Sequence, residues 1–226
     1  MEIFIATVCA DYNEQTGRGA IIRKCLESLV QNPHLEATVF DFGSHGRQFG
    51  WLNSLPCKVW HNSPFEDLSW TLEGSERRRH LFAARLAAGE IYCVADDDCL
   101  PEQADWAERA EEAIRQNVGY GLLALGPTGG PSTHTGQTSG GEIVNTASVG
   151  GIRLVRRGAL KTFPPYGGVR GYDMQMCAAY RAAGWKIGFL RNIRRQHLGG
   201  GNLSVYRERS WPCGEMDRPD GSAAEN

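Results

Sequence analysis

The stretch Ile91–Glu102, IYCVADDDCLPE, decides how this chain is read. Its first five residues, Ile91 to Ala95, are apolar and short enough for a buried strand, and Asp96, Asp97 and Asp98 follow without a spacer. Adjacent carboxylates repel one another, so a fold tolerates them best with a cation or an array of donors between them. Hard oxygen ligands of this kind suit Mn²⁺ or Mg²⁺, which keep some waters and take further ligands from substrate phosphates. Side chains alternate along a strand, so continued extension would turn Asp96 and Asp98 to one side. A solvated acidic turn ahead of a helix opened by Pro101 would give the same string, and the surroundings must decide.

Upstream, Ile3 to Val8 reads as a strand, and Ile21, Ile22, Cys25, Leu26, Leu29 and Val30 recur at helical spacing. Ala37 to Phe42 is a second strand closed by Gly43-Ser44, and Cys57 to Trp60 is a short third. A helix is expected from about Glu76 to Ala88, stopped by Gly89, and another from Pro101 to about Gln116. Downstream come strands over Gly119–Gly126, Ile152–Val155 and Ile187–Leu190, with a helix over Asp173–Ala183. The Gly126–Gly141 segment is a Gly/Ser/Thr/Pro loop, either bordering a substrate or linking elements. Strands alternating with helices predict an α/β protein, a three-layer α/β/α sandwich on a mostly parallel sheet. Ligands bind beyond the carboxyl ends of such strands, and three polar clusters sit there: Asp11-Tyr12-Asn13, Asp41 and Asp96-Asp97-Asp98.

The 226 residues, 41% hydrophobic and 22% charged, suit one soluble domain whose core needs no disulfides. A formal net charge of −2 speaks against a nucleic-acid partner bound through phosphate neutralisation. The basic bunches Arg77-Arg78-Arg79 and Arg191, Arg194, Arg195 are either solvated surface or a pocket for a small polyanion such as a diphosphate. Seven cysteines form an odd set without zinc-type spacing, which predicts reduced thiols and a cytoplasmic setting. No secretory leader is expected, and no stretch reaches the roughly 18 apolar residues of a membrane span, leaving peripheral membrane contact at most.

Four segments carry a resemblance. They are CADYNE (9–14) with GRGAIIRKCLESLVQ (17–31), TVFDFGS (38–44), RRRHLFAARLAAGEIYCVADDDCLPE (77–102) and GGVRGYDMQMCAAYRAAGWKIGFL (167–190). Together they resemble the GT-A fold glycosyltransferases of the large inverting family 2, whose members use nucleotide-sugar donors. The likeness covers residues 3 to about 200, and the third segment is the most specific. It implies one domain over 1–216, with a nucleotide-binding half to about 98, an acceptor half over 99–216, and a disordered tail over 217–226.

The resemblance also implies roles. Tyr12 would border the base, Asp41 the base or ribose, and Arg79 the nucleotide. Asp96 would face the ribose and metal, with Asp97 beside it, while Asp98 would bind the metal directly. Asp173 would be the general base, and His197 a third metal ligand from near the C-terminus. Phe42 stands where the family carries a second acidic residue that reads uridine, which puts the base in doubt, although a UDP-sugar is still favoured.

The residues support this chemistry on their own. Transfer of a sugar releases a nucleoside diphosphate, whose developing charge a cation or basic side chains can absorb. The acceptor hydroxyl needs a base within hydrogen-bond reach, and Asp173 opens a helix after Gly171-Tyr172. A carboxylate there also serves as a helix cap. His197, ahead of Gly199-Gly200-Gly201, is readable as a ligand or as a structural histidine, and Trp211 as a lid or a surface residue. A nucleotidyltransferase is a rival, but Asp11-Tyr12-Asn13-Glu14 is the wrong chemistry for its phosphate loop; a non-catalytic nucleotide-sugar or carbohydrate-binding domain is another.

Overall fold

In the computed structural model, residues 1–8, 18–42, 44, 46–61, 72–128, 141–164 and 172–198 are described, and all that follows concerns these. Four strands, β1 (Glu2–Val8), β2 (Glu36–Phe42), β3 (Lys58–His61) and β4 (Ile91–Asp96), run parallel in the order β3-β2-β1-β4. Helices α1 (Arg18–Val30), α2 (Gly46–Ser54) and α3 (Leu72–Leu86) lie between them in sequence. Of these seven elements, α2 alone escaped the sequence reading. Two glycines interrupt GRQFGWLNS, and glycine is a poor helix former, so the periodic signal there is weak.

The second half comprises β5 (Cys99–Pro101), α4 (Trp106–Gln116), β6 (Tyr120–Pro127), β7 (Ile143–Asn145), β8 (Arg153–Arg156), α5 (Tyr172–Ala182) and β9 (Lys186–His197). The sheet continues β4-β8-β6-β9-β5, with β7 also on β9. Here β8 runs antiparallel to β4 and β6, and β5 and β7 run antiparallel to β9; only β6 and β9 are parallel. The sheet is therefore mixed, parallel in its first half and largely antiparallel in its second. Pro101 does not open a helix but ends β5, opposite Arg195. That is permitted because β5 lies at the sheet's edge, where a missing N–H breaks no ladder on the free side.

Period-two alternation divides the core into two layers. Ile3, Ile5, Val39, Ile91 and Cys93 face α1 (Ile22, Leu26, Leu29) and α4 (Trp106, Ala110, Ile114). Phe4, Phe40, Phe42, Tyr92 and Val94 face α3 (Ala83), Ala87 just after it, and α5 (Tyr172, Met176, Tyr180). Large apolar side chains such as Ile91 and Val94 stabilise by about 1.5–3 kcal/mol each when fully buried. Burial of this depth fixes where β4 ends, and hence where its carboxylates emerge. Among the described residues, Cys25, Cys57, Cys93, Cys99 and Cys177 form no disulfide.

Candidate active site

Asp96 is the last residue of β4 and continues the face of Tyr92 and Val94, which looks toward α3 and α5. Arg79, on α3, donates from Nη1 to Asp96 Oδ1 at 2.7 Å and to the Ala95 carbonyl at 2.9 Å. Arg153, opposite Val94 on β8, donates from Nη2 to the same Oδ1 at 2.8 Å, and the Gly151 N–H donates to Oδ2 at 2.9 Å. The other Arg153 nitrogen, Nη1, donates to Asp173 Oδ1 in the first turn of α5. Both guanidiniums are buried, at 1–2% exposure, whereas Asp96 and Asp173 keep 22% and 26% of their side chains accessible. The carboxylates are thus partly accessible, with the cations buried behind them. Burial pushes the Asp96 carboxyl up, but Arg153 and Arg79 outweigh it and hold the group below the ordinary carboxylate range. His80, beside Arg79, is buried against Tyr172 and Phe163, and desolvation keeps it neutral.

Arg79, expected at the nucleotide, is bonded to Asp96. Arg153 was not singled out from the sequence. Its signal was an arginine inside a strand, IRLV, that otherwise reads as apolar and buried. Glycines let this corner close: a Cβ on Gly150 would lie 2.8 Å from Asp173 Oδ2, and one on Gly151, at φ +76°, would run into the Arg195 guanidinium.

Two residues further on the surroundings change. The strand stops at Asp96, and Asp97 and Asp98 occupy a turn, so the alternation that would have aligned Asp96 with Asp98 ends there. Asp98 is buried and faces β9, where its Oδ2 lies 3.1 Å from His197 Nε2. The backbone repeats the link, since the Leu198 N–H donates to the Asp98 carbonyl and Cys99 pairs with His197 in the β5–β9 ladder. Carboxylate, thiol and imidazole donors of Asp98, Cys99 and His197 all fall within 4.8 Å of one another. The hydrogen bond to the Asp98 carboxylate raises the His197 imidazole above its ordinary value, against a smaller opposing effect of burial. Asp98 and His197, both expected as metal ligands, lie beside each other with Cys99, while Asp96, expected with them, is held by Arg79, Arg153 and the Gly151 N–H. Asp97 is buried in the turn.

At the end of β2, Asp41 is buried, with Oδ1 accepting from the Ser44 N–H at 3.0 Å and Oδ2 meeting His61 Nδ1 at 2.8 Å. His61, at the end of β3, reaches Asn53 Oδ1 through Nε2 at 3.0 Å and stacks near Phe49, ring centroids 4.2 Å apart. His61 is another residue the sequence reading passed over. Phe42 turns the other way, into the core with Phe40. Tyr12 and its neighbours, most of the Gly126–Gly141 loop, Gly199–Gly201, Trp211 and the 217–226 tail lie outside the described residues.

Strand order, layers and the polar ends of β2 and β4 define a GT-A α/β fold, and solved structures agree. GalNAc-T7 with UDP, GalNAc and Mn²⁺ superposes with a TM-score of 0.60 at 14% identity, over 92% of this chain and 46% of that one. TarS 1–349 of S. aureus in complex with UDP-GlcNAc gives 0.59 at 15% identity, over 89% of this chain and 61% of its own. The mannosyltransferase PcManGT from Pyrobaculum calidifontis, with GDP-Man and Mn²⁺, gives 0.59 at 14% identity, over 91% and 59%. This chain thus spans between 46% and 61% of the length of those three. No protein-family model matches the sequence, and no curated protein is a match. No described helix is long and apolar enough to cross a membrane.

Proposed function

We propose that the chain is an inverting glycosyltransferase that moves a sugar from a nucleotide-diphosphate sugar, with a UDP-sugar as the favoured donor, to an acceptor hydroxyl. The observation that carries this reading is the convergence at one sheet end of Asp96, Asp98, Asp173 and His197, drawn from β4, the turn after it, α5 and β9.

In this reading Asp41, His61 and Tyr12 border the base, and Asp96 and Asp97 border the ribose and diphosphate. Asp173 accepts the acceptor's proton as its oxygen attacks the anomeric carbon. Arg153 orients Asp173, and because it also holds Asp96 it fixes the distance between the donor-side carboxylate and the base. The carboxylate–imidazole pair of Asp98 and His197 fits a divalent cation, Mn²⁺ or Mg²⁺, which when bound supplies positive charge to the departing nucleoside diphosphate. Arg79 is a positioning residue that seats Asp96.

The test is a donor panel followed by turnover. A matching UDP-, GDP- or dTDP-sugar with Mn²⁺ should raise stability by about 2.7 kcal/mol at one hundred times its dissociation constant. Asp173→Asn should keep that stabilisation while transfer falls about 10²–10⁴-fold. Unchanged turnover in Asp173→Asn would remove the base assignment, and a panel without any stabilising donor would remove the proposal itself. A nucleotidyltransferase would instead release pyrophosphate from a nucleoside triphosphate.

A further inference from the structure

We infer that Cys99 is a ligand of the cation site, so that this corner is a mixed carboxylate–thiolate–imidazole centre favouring Zn²⁺ and Co²⁺ over Mg²⁺. The inference rests on the proposed function only for the cation's purpose; the donor set stands on the geometry.

Three observations converge. First, Cys99 Sγ lies 3.7 Å from Asp98 Oδ1, and it shares with Asp98 and His197 a space in which all donor atoms are within 4.8 Å. Second, the arrangement is fixed by the sheet, because Cys99 and His197 are partners in the β5–β9 ladder while the Asp98 carbonyl accepts from Leu198. The donors therefore do not depend on chance rotamers of a mobile loop. Third, Asp96, which would make the site harder and more acidic, is engaged by Arg79, Arg153 and the Gly151 N–H. What is left beside the cation is one carboxylate, one imidazole and one sulfur.

Ligand softness then decides the preference. Mg²⁺ demands near-octahedral oxygen and keeps its waters, whereas Zn²⁺ and Co²⁺ accept sulfur and nitrogen at tetrahedral spacing. Coordination breaks the Cys99 S–H bond and forms a sulfur–metal bond, with the proton passing to solvent. The centre is then neutral, two ligand charges balancing the dication. Arg195, with Nη1 3.6 Å from Sγ and Nη2 bonded to the Gly150 carbonyl, stands beside the sulfur as a donor to a thiolate.

Cobalt(II) titration of the intact chain tests this without turnover. Wild type should show a thiolate-to-cobalt charge-transfer band in the near ultraviolet, and Cys99→Ser should lose the band. In competition, Cys99→Ser should lower Zn²⁺ affinity about 10- to 100-fold, while Mn²⁺ affinity moves far less. A band retained in Cys99→Ser, or equal losses for Zn²⁺ and Mn²⁺, overturns the inference. X-ray absorption of zinc-loaded wild type does not depend on the variant folding: one sulfur at about 2.3 Å supports the site, and a shell of nitrogen and oxygen alone sinks it. A chain that binds cobalt through sulfur but no nucleotide sugar would leave this inference standing and remove the proposed function.

Discussion

Asp96 and Asp98 are two residues apart and live in opposite electrostatic worlds. Asp96 is pinned between two buried guanidiniums and a backbone N–H, and its charge is matched within the protein. Asp98 meets a half-exposed histidine and a thiol, a set of donors suited to something that arrives from outside. The difference teaches that an Asp-rich run is not one feature. The strand end divides it into a carboxylate held by two buried arginines and one set beside an imidazole and a thiol.

That division is easiest to break at Asp96. Asp96→Asn leaves Arg79 and Arg153 buried without their shared counter-charge, and should cost about 3–5 kcal/mol in urea or guanidinium unfolding. Arg153→Lys keeps the charge but not the fork that reaches Asp96 and Asp173 together. A loss of about 1.5–3 kcal/mol is expected, with transfer reduced more than donor binding. Asp98→Asn should cost only about 0.5–1.5 kcal/mol of metal-free stability while abolishing the stabilisation that metal and donor give together. Equal destabilisation by Asp96→Asn and Asp98→Asn would erase the distinction between the two corners.

The pH dependences should have opposite signs and smaller size. The Asp96 carboxyl is held below its ordinary range, so its contribution is present above that range and fades as pH falls through the lower folded value. The gap between wild type and Asp96→Asn should therefore narrow in strong acid. His197 is raised by its bond to Asp98, so its contribution is present below the ordinary imidazole value and is lost as pH rises through the folded one. The gap between wild type and His197→Gln should narrow on the alkaline side, read by metal-free unfolding across pH.

Strands β1, β2 and β4, helices α1 and α3 and the position of the acidic run at a strand end were legible in the chain itself. Their signals are local: apolar runs with period two, apolar stripes with period near four, and glycine stops. Burial of Ile91 to Ala95 then forces the carboxylates out at one end. The chain also marked Asp173 and His197 as candidates. It did not show that Arg153 lies between Asp96 and Asp173, which are separated from it by 57 and 20 positions. Nor did it show that Cys99 pairs across 96 or more residues with the strand carrying Arg195 and His197. Those contacts arise from antiparallel pairing in the second half, where register is set by the whole sheet and by two packed faces at once. Periodicity tells a side chain which face it occupies; only the closed sheet tells it which distant charge it will meet there.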